Sequence, residues 1–187
     1  MNTNHSNKLW LVAVAASLAA TFVSADAAAL DGAEWEIRSG TKLVGKGDAD
    51  NRSTGAAVWC KDTSKGYFLT KTSDYTKDVP IYQEIKKGEN VEQVHLYTLK
   101  ANGDLRVVST GKKRGQILQQ TGVAGSSYKV TFRDEFGSLQ GYAYWSPKSS
   151  GFFDAKDKPL GTFGSGTDRD MRMLAFFFFL GVPGYCT

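Results

Sequence analysis

Three groups of acidic residues lie close enough in the sequence to form the carboxylate pair of a glycosidase. These groups are Asp134 with Glu135, Asp154 with Asp157, and Asp168 with Asp170. Glycoside hydrolysis needs only two carboxyl groups at a defined separation, so each group is a candidate for this reaction. Each group also lies where a polar turn is expected. A small secreted hydrolase is therefore an alternative, and a non-enzymatic function is the favoured prediction.

Nucleophilic or metal-dependent catalysis has few residues available to it. His95 lies in the middle of a predicted strand, and the Gly-x-Ser-x-Gly pattern of a serine nucleophile is missing. Cys60 and Cys186 are the two cysteines of the chain. In an oxidising compartment such a pair is expected to form a disulfide, which leaves no thiolate as nucleophile and no zinc site of the usual kind. No cofactor and no metal are predicted.

Aromatic residues provide the more specific candidate for binding. The predicted binding residues are Tyr142, Tyr144, Trp145, Phe152 and Phe153, which span a predicted strand and the predicted loop after it. Tyr and Trp combine a flat apolar face with a polar edge, so they suit sugar rings, lipid headgroups and protein contacts. Tyr142 and Tyr144 share one face of the strand and Trp145 takes the other, so these three cannot all be core residues. Ordinary core and loop packing is the alternative interpretation.

The N-terminus has the layout of a secretory signal peptide. A polar start with the cation Lys8 precedes the uncharged apolar run Leu9–Val23, and small residues follow it. We expect cleavage after Ala25 or Ala27, which gives a leader at 1–27 and a mature chain at 28–187. The apolar run is shorter than the roughly 20 residues of a membrane-spanning helix, although a retained anchor is the alternative. Export to the periplasm or the cell exterior is therefore predicted, and the alanine-rich leader is typical of bacteria.

The elements that must position these residues are predominantly strands. Tyr128–Arg133 alternates apolar and polar side chains, and Asn102-Gly103 indicates a hairpin turn between two such runs. The pattern predicts an all-β, single-domain antiparallel barrel or sandwich of about 8–10 strands, with one disulfide between Cys60 and Cys186. Met171–Leu180 contains the apolar run Met173–Leu180, which shows no alternation, so this segment is predicted as a last strand buried on both faces.

The charge of the chain limits the classes of partner that we expect it to bind. The net charge of +4 is mild, and the sequence lacks the concentrated basic face of nucleic-acid binders. The favoured function is an exported, non-enzymatic binding protein of the inhibitor, immunity or effector type. Its expected partner is a protein, a glycan or a small apolar ligand. A membrane-active β-structured toxin is an alternative, and membrane contact is not favoured.

Overall fold

The computed structural model describes residues 35–51, 55–121, 127–164 and 170–187. The predicted leader at 1–27 and the candidate acid Asp168 lie outside these residues. Twelve antiparallel strands form a closed barrel. They are β1 Trp35–Ser39, β2 Lys42–Asn51, β3 Gly55–Cys60, β4 Tyr67–Thr70, β5 Val79–Lys87, β6 Asn90–Leu99, β7 Asp104–Val107, β8 Lys113–Thr121, β9 Tyr128–Asp134, β10 Leu139–Ser146, β11 Ser149–Asp154 and β12 Pro159–Phe163.

Each strand pairs with the next along the chain, and β12 closes the barrel on β1, where Phe163 faces Ile37. The predicted all-β antiparallel fold is confirmed, and it is a barrel. The strand count is higher than expected because β8, β11 and β12 were not predicted. In β8, glutamines interrupt the alternation of apolar and polar residues. The strands β11 and β12 are short and contain glycine, which weakens the sequence pattern of a strand.

Alternation along the strands builds the inner wall. Val130 and Phe132 of β9 point into the barrel and are buried, as their period of two predicts. The Asn102-Gly103 turn joins β6 to β7 as expected. The N–H of Gly103 donates to the carbonyl of Lys100 over 2.8 Å, and φ of Gly103 is +86°, a conformation that glycine adopts readily.

The predicted last strand is wrong, because residues 171–185 are helical. The segment comprises α1 Met171–Phe176, a π-helical turn Phe177–Gly181 and α2 Val182–Tyr185; together they are called the C-terminal helix. A short apolar run does not by itself distinguish a buried strand from a buried helix. Here the closed barrel offers no free edge to a thirteenth strand. The run Met173–Leu180 is apolar on every side of such a helix, which must therefore be buried. Most residues of α1 and of the π-helical turn are buried in one core with inward-facing strand residues, whereas α2 has no buried residue.

Glycines on the inner wall make room for the phenylalanines of the C-terminal helix. A Cβ atom at Gly45 would lie 2.5 Å from the ring of Phe177, and one at Gly141 would lie 2.6 Å from the ring of Phe179. Phe152 on the inner side of β11 stacks on Phe178 of the π-helical turn, with ring centroids 3.9 Å apart. The helix therefore packs against strands from several sides of the barrel and forms one core with them.

The predicted disulfide is confirmed. Cys60 at the end of β3 is bonded to Cys186, which follows α2, across a sequence separation of 126. The bond fastens the end of the C-terminal helix to the barrel wall. Beside it, the Lys65 ammonium donates to the backbone oxygen of Thr187 over 3.0 Å.

The turns alternate between the two ends of the barrel, because consecutive strands are antiparallel neighbours. The end that carries the turns after β1, β3, β5, β7, β9 and β11 is called the upper end, and the opposite end is the lower end. Every residue of the upper-end turns belongs to the described ranges.

Candidate binding surface

Strands β10 and β11 position all five predicted binding residues. Tyr142 faces Phe153 across the strand pair, and Ala143 faces Phe152. Phe152 and Phe153 thus lie in a strand, where the sequence predicted a loop. Pro147 and Lys148 form the turn before that strand. The register places Tyr142, Tyr144 and Phe153 on the outer side of the barrel, because Ala143 and Phe152 point inward and are fully buried.

The outer set is called the wall patch and consists of Tyr142, Tyr144 and Phe153. All three side chains are half-buried. Tyr142 stacks on Phe153 with centroids 5.1 Å apart, and the ammonium of Lys129 lies 3.7 Å from the centroid of the Tyr142 ring. Cation–π contact and ring stacking hold the Tyr142 ring in place. The patch therefore presents ordered aromatic edges beside a cation.

The hydroxyl of Tyr142 extends toward the upper end of the barrel. It donates to Asp157 in the β11–β12 turn over 2.8 Å. Burial raises the pKa of Tyr142 to about 12, and its hydrogen bond to Asp157 adds to the effect. The hydroxyl therefore stays protonated at neutral pH and serves as a hydrogen-bond donor. It joins the wall patch to an upper-end turn.

The other two predicted residues point inward. Phe152 is fully buried and stacks on Phe178, so it belongs to the core that contains the C-terminal helix. Trp145 lies on the inner side near the lower end, where its ring is 5.7 Å from that of Tyr128. The structure thus divides the five residues into three on the outer wall and two on the inner side.

The candidate acids have structural partners. Asp134 accepts the backbone N–H groups of Phe136 and Ser138, over 3.0 and 2.9 Å. Asp154 does the same for Lys156 and Lys158, over 2.8 and 2.9 Å. These backbone hydrogen bonds lower the pKa of Asp154. Both carboxylates therefore stabilise tight turns at the upper end.

Asp170 caps the C-terminal helix. It accepts the N–H groups of Arg172 and Met173 over 3.1 and 3.0 Å, and the hydroxyl of Tyr75 over 2.5 Å. The guanidinium of Arg172 lies 4.4 Å from the centroid of the Tyr75 ring. Burial raises the pKa of Asp170, although these hydrogen bonds oppose the effect. Burial likewise raises the pKa of Tyr75.

The remaining candidates for chemistry occupy strand or core positions. His95 lies on β6, as predicted, where its ring is 5.2 Å from that of Tyr82 and its Nε2 is 3.1 Å from the hydroxyl of Thr98. Within the described ranges no three His, Cys, Asp or Glu side chains are grouped as metal ligands. In the same part of the chain, no helix has the length and hydropathy needed to cross a bilayer.

Sequence reasoning missed one residue that the structure makes prominent. Phe136, in the β9–β10 turn, is 86% exposed. The segment Asp134-Glu135-Phe136-Gly137-Ser138 predicts a turn between strands and offers Asp134 and Glu135 as a candidate acid pair, but it does not predict a role for Phe136. An aromatic side chain inside a polar turn was the available signal, since such a ring has little of its own chain to pack against.

The comparisons with known proteins add no functional information. No protein-family model, curated protein or solved structure matches this chain.

Proposed function

We propose that this protein is an exported, non-enzymatic binding protein that recognises a protein or a glycan with the outer surface of its barrel. The observation that carries the proposal is the position of the C-terminal helix. Phe177 and Phe178 fill the space that a small apolar ligand occupies in a hollow barrel. The wall patch, in contrast, keeps aromatic side chains on the outside, which favours recognition there.

Two observations support export. A disulfide between Cys60 and Cys186 is typical of oxidising compartments, and the leader predicted at 1–27 would direct the chain there. The apolar run Phe176–Phe179, which the toxin alternative would insert into a membrane, is packed within the barrel. This arrangement favours a binding protein over a membrane-active one.

The wall patch is tested by offering the labelled protein to a glycan array and, with an amine-reactive cross-linker, to the exported proteins of its native host. We expect a saturable signal in one of these assays. Tyr144→Ala should weaken it about tenfold, the effect of losing a contact at the centre of an interface. Thr162→Ala, an exposed change on the outer side of β12, is the control and should leave the signal unchanged. Equal signals from both variants, or no saturable signal, would contradict the proposal.

A further inference from the structure

The β5–β6 hairpin projects beyond the closed wall of the barrel at the upper end. Its neighbours stop early, because β4 pairs with β5 only as far as Gln83, and β7 pairs with β6 only from Tyr97 onward. Within the described residues the ladder from Glu84 to His95 therefore consists of this hairpin alone. The closed wall has no free edge, whereas this part of the hairpin has two edges that no described strand pairs with.

The hydrogen-bond alternation of the hairpin determines which backbone groups face these edges. A two-residue turn joins Lys87 to Asn90, which form the closing pair. Such a closing pair exchanges both of its hydrogen bonds, and along the ladder pairs of this kind alternate with pairs that exchange none. Glu84 and Gln93 form a pair of the second kind. The N–H and C=O groups of these two residues therefore point away from the hairpin, toward opposite edges.

The edge of β6 is the less protected of the two. By the same alternation, the backbone groups of Val91, Gln93 and His95 face this edge, and no described strand or turn pairs with them. Charged side chains, above all lysine, and proline commonly protect strand edges. The β5 edge ends in two consecutive lysines, whereas β6 contains neither lysine nor proline. The β6 edge is therefore open to the addition of a strand.

Side-chain contacts hold the projecting hairpin together without a third strand. The side-chain amide of Gln93 donates to Glu84 over 2.9 Å, and an ion pair joins the two strands near the tip. At the base, the His95 ring lies 5.2 Å from the ring of Tyr82. Because a two-stranded hairpin alone is marginally stable, these contacts keep the β6 edge extended. An extended edge is what an incoming strand pairs with.

The register excludes the strands of a second copy as the added strand. A symmetric antiparallel pair that covers the whole edge is centred on Gln93, and the turn of the second hairpin would then lie beside Tyr97 and Thr98. Val107 and Arg106 of β7 already occupy that place. In a parallel pair, the two β7 strands would compete for the space between the two β6 strands. Every other described strand of a second copy is paired on both sides within its own barrel.

The end of the β6 edge is bounded by a basic turn. The N–H of Val108 donates to the carbonyl of Leu96 over 2.9 Å, so the β7–β8 turn lies against β6 where the free edge ends. The segment 108–114 contains three basic residues and no acidic residue. One of the three pairs with Asp104. Lys112 is exposed and takes part in none of the ion pairs among the described residues. A carboxylate on the added strand would complement this charge.

We propose that the β6 edge at residues 91–95 binds an extended segment of another protein as an added β-strand. The backbone of the segment pairs with the outward N–H and C=O groups. Its side chains cover Val91, which is 53% exposed, on one face of the hairpin and Val94 on the other. A carboxylate at the end of the segment meets the β7–β8 turn. The inference goes beyond the proposed function, because it uses none of the wall-patch residues.

Two proline variants of one cross-strand pair test the β6 edge. The probe is a peptide enriched on the full chain from a phage-displayed library of random linear sequences. Gln93→Pro removes an N–H that faces the β6 edge, and Glu84→Pro removes one that faces the β5 edge. Both variants delete the same side-chain contact, so they are matched. In fluorescence anisotropy we expect Gln93→Pro to weaken peptide binding about tenfold and Glu84→Pro to leave it unchanged.

A charge reversal tests the basic turn. Lys112→Glu should weaken binding of the enriched peptide about threefold, since an exposed ion pair contributes little. Lys156→Glu, in the exposed β11–β12 turn at the same end, should leave binding unchanged. Equal effects of the two reversals would show that the end of the segment carries no carboxylate at this turn.

Hydrogen exchange of the native chain, followed by nuclear magnetic resonance, gives a readout that does not depend on the proline variants. We expect the peptide to slow exchange of the Val91 and Gln93 amides about tenfold. The amides of Glu92 and Val94 donate within the hairpin and should change less. Unchanged exchange at Val91 and Gln93, or no enriched linear peptide, would overturn the inference.

Other occupants give distinct results. A dimer of the native chain in sedimentation that Gln93→Pro dissociates would assign the edge to a second copy and overturn the inference. Tyr144→Ala separates the two proposals. A peptide that this variant releases and Gln93→Pro retains belongs to the wall patch, and it removes only the present inference. If peptide binding is lost with Gln93→Pro while the wall-patch assays give no saturable signal, the β6 edge stands and the proposed function fails.

Discussion

At the residue scale, the comparison of Phe136 with Lys156 separates what folding requires from what it leaves open. The two turns share their backbone hydrogen bonds, while their central side chains differ completely in character. The aspartates that begin the turns, Asp134 and Asp154, are the structural residues. The backbone hydrogen bonds of the turn therefore do not require a phenylalanine at position 136.

Phe136→Lys is expected to leave the free energy of unfolding unchanged within about 0.5 kcal/mol, because the side chain is exposed and the matching turn accepts lysine. Asp134→Ala is expected to lower it by about 1 kcal/mol, since it removes the acceptor of Phe136, Ser138 and Gln140. Urea unfolding at neutral pH measures both. A larger loss for Phe136→Lys than for Asp134→Ala would show that the ring is structural.

Asp170 predicts a pH dependence of stability. Burial raises its pKa above the usual 3.8, so between the two pKa values the folded state binds more protons than the unfolded state. The free energy of unfolding contributed by this group therefore falls as pH rises through that interval.

The variant Asp170→Asn tests this dependence, because its side chain cannot titrate in that interval and keeps an oxygen that can cap the helix. In urea unfolding across a pH series, the stability of the native chain relative to this variant should fall as pH increases from about 3.8. A constant or rising difference would refute this.

At the element scale, the C-terminal helix is the part that the sequence least determines. Its run of apolar residues, Met173–Leu180, is consistent with a strand buried on both faces and also with a helix that is apolar on every side. The choice depends on closure of the barrel by β1 and β12, which is a long-range event. Strands such as β9 were predictable because their alternation is local. The inward direction of Phe152 depended on the same kind of tertiary information, since β11 was not recognised as a strand.

Gly45→Ala tests the packing of the C-terminal helix against the wall. The added methyl would lie 2.5 Å from the Phe177 ring and 2.5 Å from the carbonyl oxygen of Trp59. We expect the free energy of unfolding to fall by about 1–3 kcal/mol through overpacking. Gly184→Ala on α2 is the control, since a Cβ there meets nothing within 4 Å. Thermal unfolding measures the stability of both variants. An equal loss of stability in Gly45→Ala and Gly184→Ala would contradict the packing of Phe177 against Gly45.

At the scale of the whole molecule, the disulfide stabilises the joined barrel and helix. Replacing both cysteines, Cys60→Ala with Cys186→Ala, opens a loop with a sequence separation of 126. The free energy of unfolding should fall by about 2–5 kcal/mol. Denaturant unfolding of the variant and the native chain measures this loss, and an unchanged midpoint would show that the bond contributes nothing to folding stability.

The central claim is that the barrel is filled by its own helix, so that recognition takes place outside. Titration of the native chain with a fluorescent naphthalene sulfonate dye tests it most directly, with Phe178→Ala as the variant that opens space beside Phe152. The account predicts no saturable one-to-one binding to the native chain and increased binding to the variant. Saturable one-to-one binding by the native chain, unaltered by Phe136→Lys, would show an accessible interior and contradict the account.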